Sequence, residues 1–278
     1  MVNISFEFFP PKTSQGDDAL FNVLKQLAPL KPEYCSVTYG AGGSTKARTA
    51  EIVQRIQHDY NIPAASHLTC VNAPKAEINA IAKDYWQNGI RRIVALRGDM
   101  PGMSGAYVPH PEGYAYAHEL VSGLKAIGDF DISVACFPET HPEATSPGAD
   151  IDYLKRKIDA GADRAIMQYC FDTDKILQFV EKVRAKGVNI PLVPGIMPIQ
   201  NIAQTISFSK RCGATVPTWL VERFDKVAND SQATEALAAD IAREQCEKLI
   251  ASGLDRLHFY TLNKTEPTLA LCQKLRAE

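Results

Sequence analysis

Glu7 stands inside the run Ser5-Phe6-Glu7-Phe8-Phe9-Pro10-Pro11, with aromatic side chains on both sides. Desolvation penalises a charged carboxylate, so apolar surroundings raise a carboxyl pKa and let the group hold a proton near neutrality. Such a carboxyl is suited to general acid work; the plainer alternative is an interior salt bridge, and position alone does not choose. Asp99 closes Leu96-Arg97-Gly98-Asp99, directly after the apolar run Ile93-Val94-Ala95. Gly98 lets a ligand or backbone approach closely, while the plain reading of Asp99 is a loop or N-cap aspartate. Gln168 offers a planar donor–acceptor edge that matches a heterocycle. His67 taken alone is more often a satisfied core histidine than a ligand. Arg156 and Lys157 form a positive pair with a plausible phosphate role, or else a solvated helix face.

These residues share a position relative to the elements that must carry them. Short apolar, β-branched runs alternate with amphipathic stretches, and continuous runs such as Ile-Val-Ala-Leu are typical of parallel strands buried on both faces. The runs Ile4–Phe9, Tyr34–Tyr39, Ala64–Cys70, Arg92–Arg97, Ile132–Phe137, Arg164–Tyr169, Ile190–Ile196 and Arg256–Tyr260 predict strands. Helices are expected near 17–28, 47–60, 75–88, 114–127, 150–160, 173–186, 201–211, 232–252 and 266–276, with an extra one at Trp219–Phe224. Eight strands with helical crossovers, most spaced by roughly 30 residues, favour a closed (βα)8 barrel, a TIM barrel, over a doubly wound sheet. The sheet alternative usually carries a phosphate-binding first turn. Here Gly40-Ala41-Gly42-Gly43 follows the second strand, and Thr45 takes the third glycine position of that fingerprint. The segment Met100–Gly113 reads as a long loop after strand four, a candidate lid or binding loop.

Function in such a barrel gathers at the C-terminal ends of the strands. Reading those ends in order gives Glu7; Thr38 and Tyr39; His67; Arg97 and Asp99; Phe137 and Glu139; Gln168; then Tyr260, Asn263 and Lys264. Polar groups converging from so many strands predict a site. Glu7, His67 and Asp99 include metal-ligand types, but no HxH or HExxH pair accompanies them and no metal is expected. A Schiff-base aldolase needs a placed lysine, yet none lies within strand candidates two to seven and Lys264 follows the last. There is no Gly-x-Ser-x-Gly elbow.

The 278 residues are 45% hydrophobic and 22% charged, which suits one large α/β domain spanning 1–278. The net charge of -2 and pI near 6.3 give no broad basic field, so nucleic acid is not an expected partner. Seven dispersed cysteines without a CxxC pair read as reduced thiols of a cytoplasmic protein. The first residues lack the pattern of a signal peptide, and no apolar stretch predicts a membrane span.

Several motifs together resemble the bacterial methylenetetrahydrofolate reductase family. They are Ser5-Phe6-Glu7-Phe8-Phe9-Pro10-Pro11, Ser36-Val37-Thr38-Tyr39-Gly40-Ala41, His67-Leu68-Thr69-Cys70 and Ala95-Leu96-Arg97-Gly98-Asp99. Lys155-Arg156-Lys157-Ile158-Asp159-Ala160-Gly161-Ala162, Pro194-Gly195-Ile196-Met197-Pro198 and His258-Phe259-Tyr260-Thr261-Leu262-Asn263 complete the set, which runs in order from residue 3 to about 275. The resemblance implies a barrel that holds FAD without a Rossmann domain, and a ping-pong reaction. NADH or NADPH reduces the flavin and leaves; 5,10-methylenetetrahydrofolate then binds in the same place and is reduced to 5-methyltetrahydrofolate.

By the same resemblance Glu7 is the general acid at the folate N10, and Asp99 a charge near flavin and pterin. Gln168, Phe208, Tyr260 and Lys264 are substrate contacts. Thr38, His67, Arg97, Gly98, Asp99, Tyr116, Phe137, His141, Asp150, Arg156 and Lys157 are FAD contacts. Phe208 could equally be a core helix residue. Phe137 stands where a bacterial relative carries tyrosine, Lys264 stands for an arginine that contacts substrate, and the 100–113 loop is longer than in that relative. The family also implies a homo-oligomer; the regulatory domain of eukaryotic relatives is not expected. Two other functions fit the scaffold: a flavin-free barrel lyase or aldolase, and a non-catalytic folate- or flavin-binding relative. Bound flavin colour separates the first from the family reading, and turnover separates the second.

Overall fold

The strands are buried along almost their whole length, as expected where helices cover one face and a filled interior the other. The computed structural model of the protein describes residues 2–40, 46–99 and 107–277; the glycine segment 41–45 and the start of the long loop, 100–106, lie outside them. The strands are β1 (Asn3–Phe8), β2 (Tyr34–Val37), β3 (Ala64–Thr69), β4 (Arg92–Leu96), β5 (Asp131–Cys136), β6 (Arg164–Met167), β7 (Leu192–Val193), β8 (Gly195–Ile196) and β9 (Arg256–Tyr260). All pairings are parallel, in the order β7-β6-β5-β4-β3-β2-β1-β9-β8.

The two ends of that order are neighbours in the chain. β7 pairs with β6 and β8 with β9, and only Pro194 separates them. They are the halves of one interrupted stave, so the sheet is a nearly closed α/β barrel, the TIM-barrel class expected. The single strand expected at Ile190–Ile196 is therefore corrected. Proline has no N–H to give the ladder, and the Pro194 carbonyl instead accepts from the His258 N–H at 2.9 Å.

Helices α1 (Ser14–Leu27), α2 (Lys46–Asp59), α3 (Lys75–Gln87), α4 (Ala117–Ile127), α5 (Pro147–Asp159) and α6 (Thr173–Ala185) follow β1 to β6 in turn. Then come α7 (Ile202–Cys212), α8 (Thr218–Asp225), α9 (Ser231–Ala251) and, after β9, α10 (Thr268–Ala277). Where helix starts differ from expectation, side-chain caps explain the shift. α1 begins earlier because Thr13 accepts from the Gly16 N–H; α5 begins earlier because Ser146 accepts from Ala149, with Pro147 in its first turn. α4 begins later, because Tyr116 is extended and the Glu119 carboxylate reaches back to the Ala115 N–H at 3.1 Å. No helix among the described residues is long and apolar enough to cross a membrane.

The N-terminal end of the barrel is closed by a charge network. Arg164 is only 9% exposed and meets Asp131 at 2.6 Å, Arg92 meets the same carboxylate at 3.1 Å, and Arg256 meets Glu33 at 2.9 Å. Removing one partner of a buried pair is costly because the other charge is stranded. This end is committed to stability, which leaves the opposite end for chemistry. A second apolar cluster, which includes Tyr169, Phe171, Met197, Leu220 and Phe224, seats α7, α8 and α9 beside that opposite end.

Two glycines make the packing testable. A Cβ on Gly195 would collide with the Met167 carbonyl and lie 2.5 Å from a Tyr260 ring carbon, whereas on Gly148 its nearest neighbour is Ser146 Oγ at 3.9 Å. Gly195→Ala should lose about 1–3 kcal/mol by overpacking. Gly148→Ala, in an open first helical turn, should be neutral or gain up to about 1 kcal/mol. Urea denaturation of both variants checks the contrast, and equal stabilities would refute the close approach at Gly195.

Candidate active site

Period-two alternation puts Ser5 and Glu7 of β1 on the inner face, while Phe6 and Phe8, fully buried, pack outward against the helices. On β9 the same alternation turns His258 and Tyr260 inward. The register sets Glu7 opposite Tyr260 and Ser5 opposite His258. The Glu7 carboxylate thereby meets two imidazoles: His67 Nε2 from β3 lies 3.2 Å from Glu7 Oε2, and His258 Nε2 lies 3.4 Å from the same oxygen. Ser5 Oγ sits 2.7 Å from His258 Nδ1 and orients that ring. Thr261 Oγ1 donates to the Glu7 carbonyl at 2.7 Å, pinning the backbone beneath the carboxylate.

The expectation that Glu7 is raised by apolar neighbours is corrected by this geometry. Burial does push the carboxyl up, but the charge on His67, hydrogen bonds from His258 and His67, and the charge on His258 together outweigh it and hold Glu7 at about 2. The aromatic neighbours in sequence point the other way along the strand. His67 is accordingly not a bland core histidine. Ser5 and His258 enter the sequence reading only within motifs and not as site residues, although each stands two residues from a named site residue on its own strand. Alternation carried that signal.

Around this centre the other expected substrate contacts are distributed as follows. Gly98 has φ 85, and a Cβ there would fall 2.8 Å from Thr69 Cβ and Val71 Cγ1, so the bend that presents Asp99 requires glycine. Asp99 itself is exposed. The Gln168 side-chain Oε1 accepts from the Tyr169 N–H at 3.0 Å. Phe208 on α7 stacks near-parallel on Tyr169 with centroids 6.2 Å apart, half-buried in the second cluster. The Tyr260 hydroxyl donates to the Met167 carbonyl at 3.1 Å, and its ring meets His258 edge-on. Lys264 is exposed, at the end of a turn where Leu262 and Asn263 have φ 52 and 56. The Asn263 side chain brackets Phe9, accepting from its N–H and donating to its carbonyl, both at 2.8 Å.

The expected cofactor contacts lie over β2 to β5 and α5. The Thr38 carbonyl accepts from Thr49 Oγ1 at 2.9 Å. Arg97 grips Glu143 with both guanidinium nitrogens. Asp150 accepts from the His141 N–H at 2.9 Å, and the His141 ring stands edge-on to Phe137 with centroids 4.7 Å apart. Burial lowers the His141 imidazole, which favours its neutral form. Arg156 and Lys157 do not act as one patch, since neighbours on a helix diverge by about 100°. Arg156 is exposed, over the Tyr153 ring at 5.1 Å, whereas Lys157 turns inward and donates to the Ala135 carbonyl. Glu139, at the end of β5, is a strut: it pairs with Lys175 and accepts from the Thr215 N–H, both at 2.8 Å. Among the described residues, no group of three histidine, cysteine or acidic side chains is arranged to hold a metal ion.

Cations, the Asp150 carboxylate and aromatic rings thus share one rim of the barrel. Comparison with known proteins identifies the family. The family model described as methylenetetrahydrofolate reductase matches residues 1–276. The 5,10-methylenetetrahydrofolate reductase of Escherichia coli (strain K12) is 44% identical over 274 residues, covering 99% of this chain and 90% of that protein. The Arabidopsis thaliana protein named methylenetetrahydrofolate reductase (NADH) 1 is 38% identical over 282 residues, covering 98% of this chain and 48% of that one. Among solved structures, a Clostridium thermocellum protein described as binding two copies of 5-methyl-5,6,7,8-tetrahydrofolic acid aligns with TM-score 0.65 at 16% identity. That alignment covers 99% of this chain and 95% of the other, and likeness at such identity speaks for the fold. On its matched sequence and its barrel, the chain belongs to the methylenetetrahydrofolate reductase family.

Proposed function

We propose that residues 1–278 act as one catalytic unit. It reduces 5,10-methylenetetrahydrofolate to 5-methyltetrahydrofolate with electrons from NADH or NADPH, using FAD. The observation that carries this reading is the buried Glu7 carboxylate between two imidazoles at the mouth of the barrel, in a chain of this family. When bound, FAD supplies the redox relay, taking hydride from the nicotinamide and returning it to the one-carbon unit. Arg97, Arg156 and Lys157 would hold its phosphates, and Asp150 with His141 its ribose; Thr38, His67, Phe137 and Gly98 would contact it as well.

The chain's own task is to move one proton and stabilise one cation. Glu7 delivers the proton to the folate N10, which opens the five-membered ring and leaves an iminium at N5. Held at about 2, Glu7 rests as a carboxylate, with two imidazole nitrogens within 3.4 Å of its Oε2 through which a proton can reach it. A flat substrate over the mouth expels water, and low dielectric disfavours carboxylate beside imidazolium relative to neutral acid beside neutral imidazole. The proton therefore moves onto the carboxyl as the substrate seats. Asp99 offers negative charge to the iminium, Gln168 an amide edge to the heterocycle, and Phe208 and Tyr260 faces for either substrate. Lys264 meets the folate far from the reacting carbon. The seven free thiols, six of them buried, suit the reducing cytoplasm.

Glu7→Gln should slow flavin reoxidation by methylenetetrahydrofolate about 10²–10⁴-fold, the usual contribution of general acid catalysis. Flavin reduction by NAD(P)H should be spared. Stopped-flow absorbance separates the two half-reactions, and equal losses in both would make Glu7 structural. The same variant has a pH signature. A carboxyl lowered from 4.5 to about 2 contributes stability that is full above 4.5 and lost as pH falls through about 2. Acid unfolding followed by circular dichroism should show that component in the parent and not in Glu7→Gln.

The divergence on α5 gives a second test. Lys157→Ala leaves the Ala135 carbonyl without its inward donor, so it should destabilise the flavin-free protein by about 1–3 kcal/mol and also weaken FAD binding. Arg156→Ala, at an exposed position, should weaken FAD binding while leaving the flavin-free melting temperature unchanged. Melting curves with and without added FAD check both; parallel behaviour would mean that the two residues act as one patch.

A further inference from the structure

Helix α7 carries Phe208 beside the mouth, yet its inward face is not the usual one. A helix is ordinarily fixed by an apolar stripe against the core. Of the eleven residues of α7 only Thr205 and Ser209 are buried, about one turn apart, and both bear hydroxyls. Its larger apolar side chains, Ile202 and Phe208, are only partly buried against the second cluster.

Tyr169 supplies what the stripe does not. It is 3% exposed and stands just beyond β6, directly after Gln168. Its hydroxyl donates to Ser209 Oγ at 3.1 Å, a bond buried at both ends, and its ring stacks on Phe208. Tyr260 meets the same ring edge-on at 5.9 Å, and its N–H donates to Gln168 Oε1. One residue thus touches Gln168, Phe208 and Tyr260, and is bonded to the helix that carries the second of them. Burial pushes the Tyr169 phenol up, so it stays a protonated donor near neutrality.

We infer that Tyr169 is a positioning residue whose bond to Ser209 fixes α7, so that Phe208 and Gln168 keep one spacing for both substrates. The inference rests on the substrate roles proposed above for Phe208 and Gln168, and adds the pair that sets them. Two substrates that use one place in turn gain from a ring already in position, because a ring ordered only on binding costs affinity. Such a preset acts alike on substrate and transition state, and so on half-saturation more than on the limiting rate.

The test follows each half-reaction of the flavin-loaded protein by stopped flow, varying NADH or NADPH in one and methylenetetrahydrofolate in the other. Tyr169→Phe keeps the ring, breaks the bond and leaves the Ser209 hydroxyl buried without its donor. It should raise the half-saturating concentration of both substrates about fivefold, the net worth of one hydrogen bond, with a smaller change in limiting rate and a lower Tm. Ser209→Ala, on the other element, should do the same. Tyr169→Phe combined with Ser209→Ala removes both partners, which is nearly neutral for stability. The double variant should therefore regain the parent Tm while the fivefold weakening persists, because the tie is still missing. Recovery of Tm and half-saturation together would make the bond merely structural and overturn the inference. So would single variants that weaken neither substrate, or only one of the two. Phe208→Leu separates this from the reading beneath it. If that variant weakens neither substrate, Phe208 is no substrate contact and the underlying reading fails; if it weakens both while the Tyr169 and Ser209 variants weaken neither, only the positioning role fails.

Discussion

Pairing of β1 with β9 is the constraint on which the site depends. It places Ser5 beside His258 and Glu7 beside Tyr260, residues more than two hundred positions apart in the chain. Without that closure the Glu7 carboxylate would face solvent or strand edge, His258 would not reach it, and the Thr261 hydroxyl would not reach the Glu7 main-chain carbonyl. The Asn263 amide reinforces the same seam one turn further out, where it brackets the Phe9 backbone. Pro194 and Gly195 act on the other side of β9: a missing N–H and a missing Cβ let the broken stave complete the ring around Tyr260.

Charge is distributed unevenly along the barrel axis. At the N-terminal end Arg164, Arg92 and Arg256 are matched by Asp131 and Glu33. At the C-terminal end the cations are engaged more lightly. Arg97 holds a half-exposed glutamate, and Arg156 rests on a ring. Such partners can be exchanged for ligand oxygens at small cost, since exposed ion pairs contribute little. Lys157 differs from both. Its charge is buried against a carbonyl, so it serves the fold as well as any ligand.

Much of the architecture was legible in the sequence because it rests on patterns with a short range. Apolar runs marked seven of the eight staves to within a few residues, and the residues at their ends converge as the barrel class requires. The seventh stave was misread where one proline interrupts an otherwise continuous run. The Glu7 environment was misread for a different reason. Its neighbours in sequence are aromatic, but alternation turns Phe6 and Phe8 away, and its true neighbours are imidazoles from β3 and β9. Local composition describes the wrong face of a strand. Arg156 and Lys157 illustrate the same limit on a helix, where adjacency in sequence is divergence in space.

The seam between the first and last staves also has a consequence in time. On the ribosome, Glu7 emerges 251 residues before His258. At the usual ~5–20 residues per second of synthesis, the carboxylate waits on the order of tens of seconds for its second imidazole. Throughout that interval β1 keeps one unpaired edge, a strand template that nascent-chain binding factors would be expected to shield. The Glu7 centre thus waits for the last strand of this barrel, however early its key residue is translated.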